Sequence, residues 1–327
     1  MAQGRQRHRL QGGQLALSAR LLLVAALGWA PLCAFADARE GHAFLKQNLV
    51  REARAEFEQG AAKGEPASQA MLTFFLWHGF DRAPQRTQAC WQADDPALAK
   101  ESMAQAILAH CHLTGTGMPR DVQKARTVAR TAALEGNNEA RFVYYLTVLA
   151  ERPIGSRGTE IEAIDMLARA AQTGHRDSQI ALAGYFFATV GEGNRARART
   201  LYLQVPNLPE SAARARDSLA EIERIAGQSP LTVKVLREAQ ATAIAAAITA
   251  GASRDCKDIR LMSTTAAGPL EASYLPNTHA WVARTYMVRG SWEEDWRYEF
   301  CGREVVVRMR FEADGKSGAY FRPGEAR

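Results

Sequence analysis

The sequence predicts a mainly α-helical protein: a solenoid of stacked helix pairs, followed by a small α+β module with an antiparallel sheet. Three observations carry that expectation. Residues 121–146 hold two helical patterns joined by Glu135-Gly136-Asn137-Asn138. Val122, Ala125, Val128, Ala129 and Ala132 share one stripe, and Ala140, Val143, Tyr144 and Leu146 another, at the spacings of amphipathic helices. The unit then recurs. Residues 53–77 and 163–187 read the same way, and their turn glycines Gly64, Gly136 and Gly174 are spaced at 72 (twice 36) and 38 positions. Such a period marks stacked helix–turn–helix units, because one hairpin cannot bury its apolar faces alone. Finally, after Cys256 the apolar period shortens from helical to two, the pattern of a sheet with one solvated face.

Taken from the N-terminus, residues 1–36 read as a signal peptide. Arg5, Arg7, Arg9 and Arg20 precede a short apolar run at 21–30, then Pro31, and Ala34-Phe35-Ala36 places small residues for cleavage between Ala36 and Asp37. The run is too short for a stable membrane span, which needs about 20 residues. Pro31 and Leu32 before Cys33 are poor for a lipoprotein site. The expected product is exported and soluble after cleavage, periplasmic in a Gram-negative host. The full chain has 41 basic and 35 acidic residues. Without the four leader arginines the balance is 37 to 35, so its basicity marks no nucleic-acid binder, and no basic patch with interleaved aromatics is visible.

Residues 37–227 form the expected solenoid, opened by an irregular helix and the first repeat helix at 41–63. Leu108 to Asp121 supplies a motif ahead of the central hairpin. Leu108, Gly115, Gly117, Asp121, Lys124, Ala125, Ala132, Ala133 and Gly136 match the pattern of the Sel-one-like repeat, a relative of the tetratricopeptide repeat. Ala109 stands for the family's glycine, His112 for its tyrosine and Met118 for its valine. The chain resembles that family over about residues 49–205, which implies a protein-binding adaptor surface rather than catalysis; a rigid spacer is the plainer implication. Two places depart from the pattern: Asp94, Asp95 and Pro96 interrupt a first helix, and residues 151–160 replace a glycine-rich turn. Residues 211–226 suit a polar capping helix.

Residues 228–327 are expected to be one helix on about four strands. Ser229 and Pro230 read as the cap and first turn of an Ala-rich helix ending at Gly251. Alternation is expected over 281–288. Trp296, Tyr298 and Phe300 share a face, as do Val305, Val307, Met309 and Phe311, and Asp314-Gly315 is a hairpin signal. Four cysteines lie beyond the leader. Three connectivities exist; Cys90–Cys111 and Cys256–Cys301 would keep each bridge in one folding unit, with free buried thiols as the alternative.

Chemistry is sparse. Gly315-Lys316-Ser317 lacks the earlier glycine of a phosphate loop, and no nucleophile elbow is present. His110-Cys111-His112 are helix neighbours that point apart, with no second ligand pair at zinc spacing. Glu293-Glu294-Asp295 reads as a solvated strand entry. No catalytic, metal or cofactor site is expected. The aromatics of successive repeats should be mostly core, with Tyr144 and Tyr185 as the members available to a binding surface. The leading expectation is an exported adaptor for a protein partner; the alternative is a cell-wall or polysaccharide binder stacking sugars on Trp292, Trp296 and Tyr298.

Overall fold

The structure, a computed structural model, describes residues 38–151, 157–252 and 254–327. The expected cleavage point at Ala36 and Asp37 lies outside these residues. Twelve α-helices come first among them: α1 (Ala38–Lys46), α2 (Val50–Ala62), α3 (Pro66–His78), α4 (Arg86–Ala93), α5 (Ser102–Thr114), α6 (Val122–Leu134), α7 (Asn138–Ala150), α8 (Arg157–Gln172), α9 (Arg176–Ala188), α10 (Asn194–Gln204), α11 (Glu210–Ala226) and α12 (Val233–Thr249). Five strands follow: β1 (Ile259–Ala266), β2 (Glu271–Tyr274), β3 (Met287–Phe300), β4 (Arg303–Ala313) and β5 (Ala319–Ala326).

The repeats are visible in backbone hydrogen bonds. Gly64, Gly136 and Gly174 all have positive φ. Each sits in the same turn, in which the residue after the glycine donates back to the fourth residue before it: Glu65 to Gly60 O (3.1 Å), Asn137 to Ala132 O (3.2 Å) and His175 to Ala170 O (3.2 Å). This is the Schellman end, which satisfies the last carbonyls of one helix while turning the chain into the next. N-caps complete the hairpins: Asp121 accepts from Lys124 N and Asn137 from Ala140 N, both at 2.9 Å. Successive helices pack antiparallel, and α3, α5 and α7 also pack directly on one another as an inner layer. Small residues permit the close approach, since Ala129, Ala132, Ala133 and Ala140 are all buried. The expected break at Pro96 is a 3-10 turn, Pro96–Leu98, between α4 and α5. Cys90 on α4 is joined to Cys111 on α5 across it.

The sheet is antiparallel in the order β1-β3-β4-β5, with β2 paired to the first half of β3. Five strands form rather than four: the sequence reading missed β1 and β2, and its two stretches around 281–288 and 296–300 meet in the single strand β3. Helix α12 covers one face, packing on β4 and β5. The other face carries cross-strand ion pairs, including Asp295–Arg308 and Glu293–Arg310, each at 2.7 Å. Cys256 is joined to Cys301 in the tight β3–β4 turn.

Four expectations are corrected here. Helix α12 starts at Val233 with Thr232 as its cap, accepting from Val235 N, whereas Ser229 Oγ donates to Glu294 Oε1 at 2.6 Å. Residues 281–286 are not strand. Asp165 on α8 accepts from Asn277 Nδ2, Thr278 N, Thr278 Oγ1 and His279 N. That latch pulls 277–279 onto the solenoid, a 3-10 turn follows at Ala280–Val282, and β3 begins only at Met287. Helix α11 does not cap the stack as a free polar end: it packs against α10, β1 and α12, and the sheet closes the solenoid. The carboxylate run is not a strand entry: it lies in the middle of β3, with Glu293 and Asp295 half-buried in ion pairs and Glu294 2% exposed.

These contacts join the two parts. Leu275, Val282 and Tyr286 lie in the same apolar cluster as α7, α8 and α9 side chains. Arg195 on α10 is buried and donates to the carbonyls of Ser229 (2.7 Å), Gly227 (3.0 Å) and Leu231, pinning the link between α11 and α12. No helix among the described residues is long and apolar enough to cross a membrane.

Candidate functional site

The inner helices converge on one buried carboxylate. Glu139 is the second residue of α7, where a negative charge suits the helix N-terminus. His110 of α5 donates from Nε2 to Glu139 Oε1 at 2.6 Å. His175 precedes α9; its Nδ1 accepts from Ser178 N, which leaves Nε2–H to donate to Glu139 Oε2 at 3.0 Å. His78, the last residue of α3, brings Nε2 to 3.4 Å from Oε1. Burial would raise the Glu139 carboxyl, but the hydrogen bonds from His110 and His175, with the His78 imidazole close by, outweigh it and hold the carboxyl well below the usual range. Rings extend the centre along the layer: Trp77 stacks on His110 at 4.9 Å, and Phe142 stands between His110 and His175.

This arrangement ties four helices to one anion. Its donors already fill the carboxylate, and among the described residues no group of three or more histidines, cysteines and carboxylates is arranged to hold a metal. The neighbours of His110 go elsewhere, as their helix positions imply: Cys111 into its disulfide, and His112 into a separate buried site where desolvation lowers its imidazole.

Beside this layer lies a cleft of about 510 Å³, between α7, α8 and α9 and the β4–β5 turn. Tyr145, Leu149, Ile164, Tyr185 and Tyr286 are among its walls, with Arg157, Glu160 and Lys316 as its charged members. The turn is fixed rather than loose. Asp314 Oδ1 accepts from Lys316 N (2.6 Å) and Gly318 N (2.9 Å), and Val190 N donates to Ser317 O (2.8 Å). Arg157 donates to Gly315 O at 3.2 Å and lies 5.9 Å from the Tyr286 ring centre. Burial pushes the Tyr185 and Tyr286 hydroxyls upward, so both remain hydrogen-bond donors at neutral pH.

Of the four aromatics expected on a binding surface, Tyr144 and Trp296 are buried, while Tyr185 lines the cleft and Trp292 lines a groove along the sheet. Tyr144 is 1% exposed and donates to Glu162 Oε2 at 2.7 Å; burial and that carboxylate push its hydroxyl up to about 12. Tyr185 is 9% exposed and presents only an edge to the cleft. Trp292 and Trp296 lie under α12 and donate from Nε1 to the two oxygens of Glu294 (3.0 and 2.8 Å). Tyr298 is likewise buried, at 1% exposure. Strand parity had placed these rings on one face correctly; the covering helix makes that face the core. Sequence reasoning missed the Glu139 centre because its members do not share a repeat position. His78 ends its helix, His110 lies two-thirds along, Glu139 is second and His175 is a cap.

No family model and no curated protein matches the chain. Among solved structures it is similar to a protective antigen of uropathogenic Escherichia coli strains displaying an SLR fold (19% identity, TM-score 0.35), over 57% of this chain and 39% of that one. It is also similar to a Sel1 repeat protein from Oxalobacter formigenes (21% identity, TM-score 0.36), over 57% of this chain and 75% of that one. The chain thus spans well under half the length of the antigen. Its own three Schellman hairpins make the helical part a stack of helix–turn–helix repeats, and the motif at 108–136 resembles the Sel1-like pattern.

Proposed function

We propose that the chain is a protein-interaction scaffold, exported as its N-terminal segment predicts, with its binding surface on the inner helices α3, α5, α7 and α9. The observation that supports this best is the Glu139 centre. Four inner helices meet at one charge-assisted hub, so the surface above them is already ordered before a partner arrives. Preordering reduces the conformational entropy lost on binding and favours recognition. A buried carboxylate with an imidazole donor on each oxygen anchors helices; it is poorly suited to proton transfer with a substrate.

Photo-crosslinking in cells expressing the full chain tests the reading. A crosslinker replacing half-buried Phe142 on the inner layer should trap a discrete protein partner. One replacing exposed Thr131 on α6 should not. Equal capture from both positions, or from Thr131 alone, contradicts it.

A wall-binding role would add an exposed ring to Trp292, which lines a groove along the sheet. Tyr320 is 68% exposed beside a groove of about 560 Å³ on the charged sheet face, with Arg310 and Arg322. Co-sedimentation with cell wall that is lost in Tyr320→Ala would favour that role over a protein partner.

A further inference from the structure

Apart from Gly158 at the start of α8, the described helices carry glycine at three positions: Gly41, Gly60 and Gly184. Packing demands the first two. A Cβ at Gly41 would lie 2.4 Å from the Phe57 ring, and one at Gly60 would lie 2.2 Å from Ser68 Oγ. At Gly184 a Cβ would meet nothing nearer than the Tyr202 hydroxyl, at 3.9 Å. The backbone there is helical, so no positive φ calls for glycine either. Glycine inside a helix is destabilising by about 0.5–1 kcal/mol relative to alanine. Helix α9 therefore tolerates a weak residue where a larger one fits. Gly184 lines the cleft beside the β4–β5 turn, together with Ala163 and Ala188, and these small residues leave its space open.

We propose that this cleft is a binding site for a partner polypeptide, taking a bulky apolar side chain against Ile164 and Tyr185, with a neighbouring acidic group of the partner at Lys316. The proposal rests on the scaffold reading and gives it an anchor point. A volume of about 510 Å³ falls within the range of about 300–1,000 Å³ typical of ligand pockets, and junctions between structural units are where such pockets gather. The walls are mostly apolar, among them Val148, Leu149, Ala163 and Ile164. The charged rim selects the neighbour. Lys316 is exposed on the fixed turn and Arg157 is exposed at the start of α8, with Glu160 the carboxylate among the described lining residues and Asp314 behind it in the turn. The cleft is also continuous with α7 and α9, so a polypeptide lying on the inner layer reaches it without leaving the surface.

Selection of a displayed library of random decapeptides on the full chain tests this. Peptides pairing a bulky apolar residue with Asp or Glu should be enriched. Gly184→Leu fills the cleft and should weaken a selected peptide about tenfold or more while leaving the melting temperature unchanged or higher. Lys316→Glu, at an exposed turn position, should weaken the same peptide and shift selection toward Lys- or Arg-containing sequences; it carries the test if Gly184→Leu folds poorly. Failure to enrich any peptide overturns the proposal, as does undiminished binding to both variants. In that event crosslinking from Phe142 still reports independently on the inner-layer scaffold. Peptide binding to the cleft without crosslinks from Phe142 would instead keep the cleft and remove the inner-layer reading.

Discussion

Glu139 shows how much one side chain can organise. Its carboxylate is buried, yet hydrogen bonds from His110 and His175, with His78 at 3.4 Å, hold it ionised. Replacing it by glutamine leaves the shape but sets a neutral amide against imidazole donors. Glu139→Gln should lower unfolding stability at pH 7 by about 1–3 kcal/mol, as measured by urea denaturation. The sign of its pH dependence follows from the depressed folded pKa. The contribution is fully present above the unfolded carboxyl range and is lost as pH falls through the lower folded value. The gap between parent and variant should therefore narrow as pH falls below about 4. None of this was legible in the sequence. A glutamate just after an asparagine cap also suits the helix dipole at a solvated first turn, and its three partners lie 29, 36 and 61 positions away at unrelated repeat positions.

At the scale of elements, the hairpins were legible because glycine, cap and apolar stripe agree on the same ends. Ala132 and Ala133 were expected at a close helix contact, and both are 1% exposed. Ala132→Leu and Ala133→Leu should each lower stability by about 1–3 kcal/mol through overpacking, read as a drop in melting temperature. An unchanged melting temperature in both would contradict the helix phase. The sheet was only half legible. Parity grouped Trp296, Tyr298 and Phe300 correctly, but a period of two does not reveal which face a helix will cover. Strands β1 and β2 were missed for a related reason. As edge strands beside β3 they are mostly half-exposed, and Ile259, Leu261 and Ser263 alternate too weakly with polar neighbours to stand out. The start of α12 misled because Ser229 and Thr232 are both good caps. The buried Glu294 recruits Ser229 from far along the chain, which leaves Thr232 as the cap.

Across the whole molecule, each disulfide stays within its own part: Cys90 to Cys111, and Cys256 to Cys301. Closing 45 residues, the second bond contributes about 4 kcal/mol in the chain-entropy picture. Cys301→Ala should loosen the sheet, and limited proteolysis should then cut within 254–327 before it cuts the solenoid. The parts are nevertheless coupled by features that no motif announces. Asp165 latches 277–279, Arg195 pins the link before α12, and Tyr286 enters the solenoid's cluster. The scaffold and its cleft depend on that coupling, because the cleft exists only while the β4–β5 turn stays seated on α9. Native-state hydrogen exchange across a urea series measures it directly. The account predicts that the amides of α7 and α9 and those of β3 and β4 open together with the same free energy, and that Asp165→Ala lowers the value for the strands first. Strand amides that already open well before the helices in the unaltered protein would contradict it.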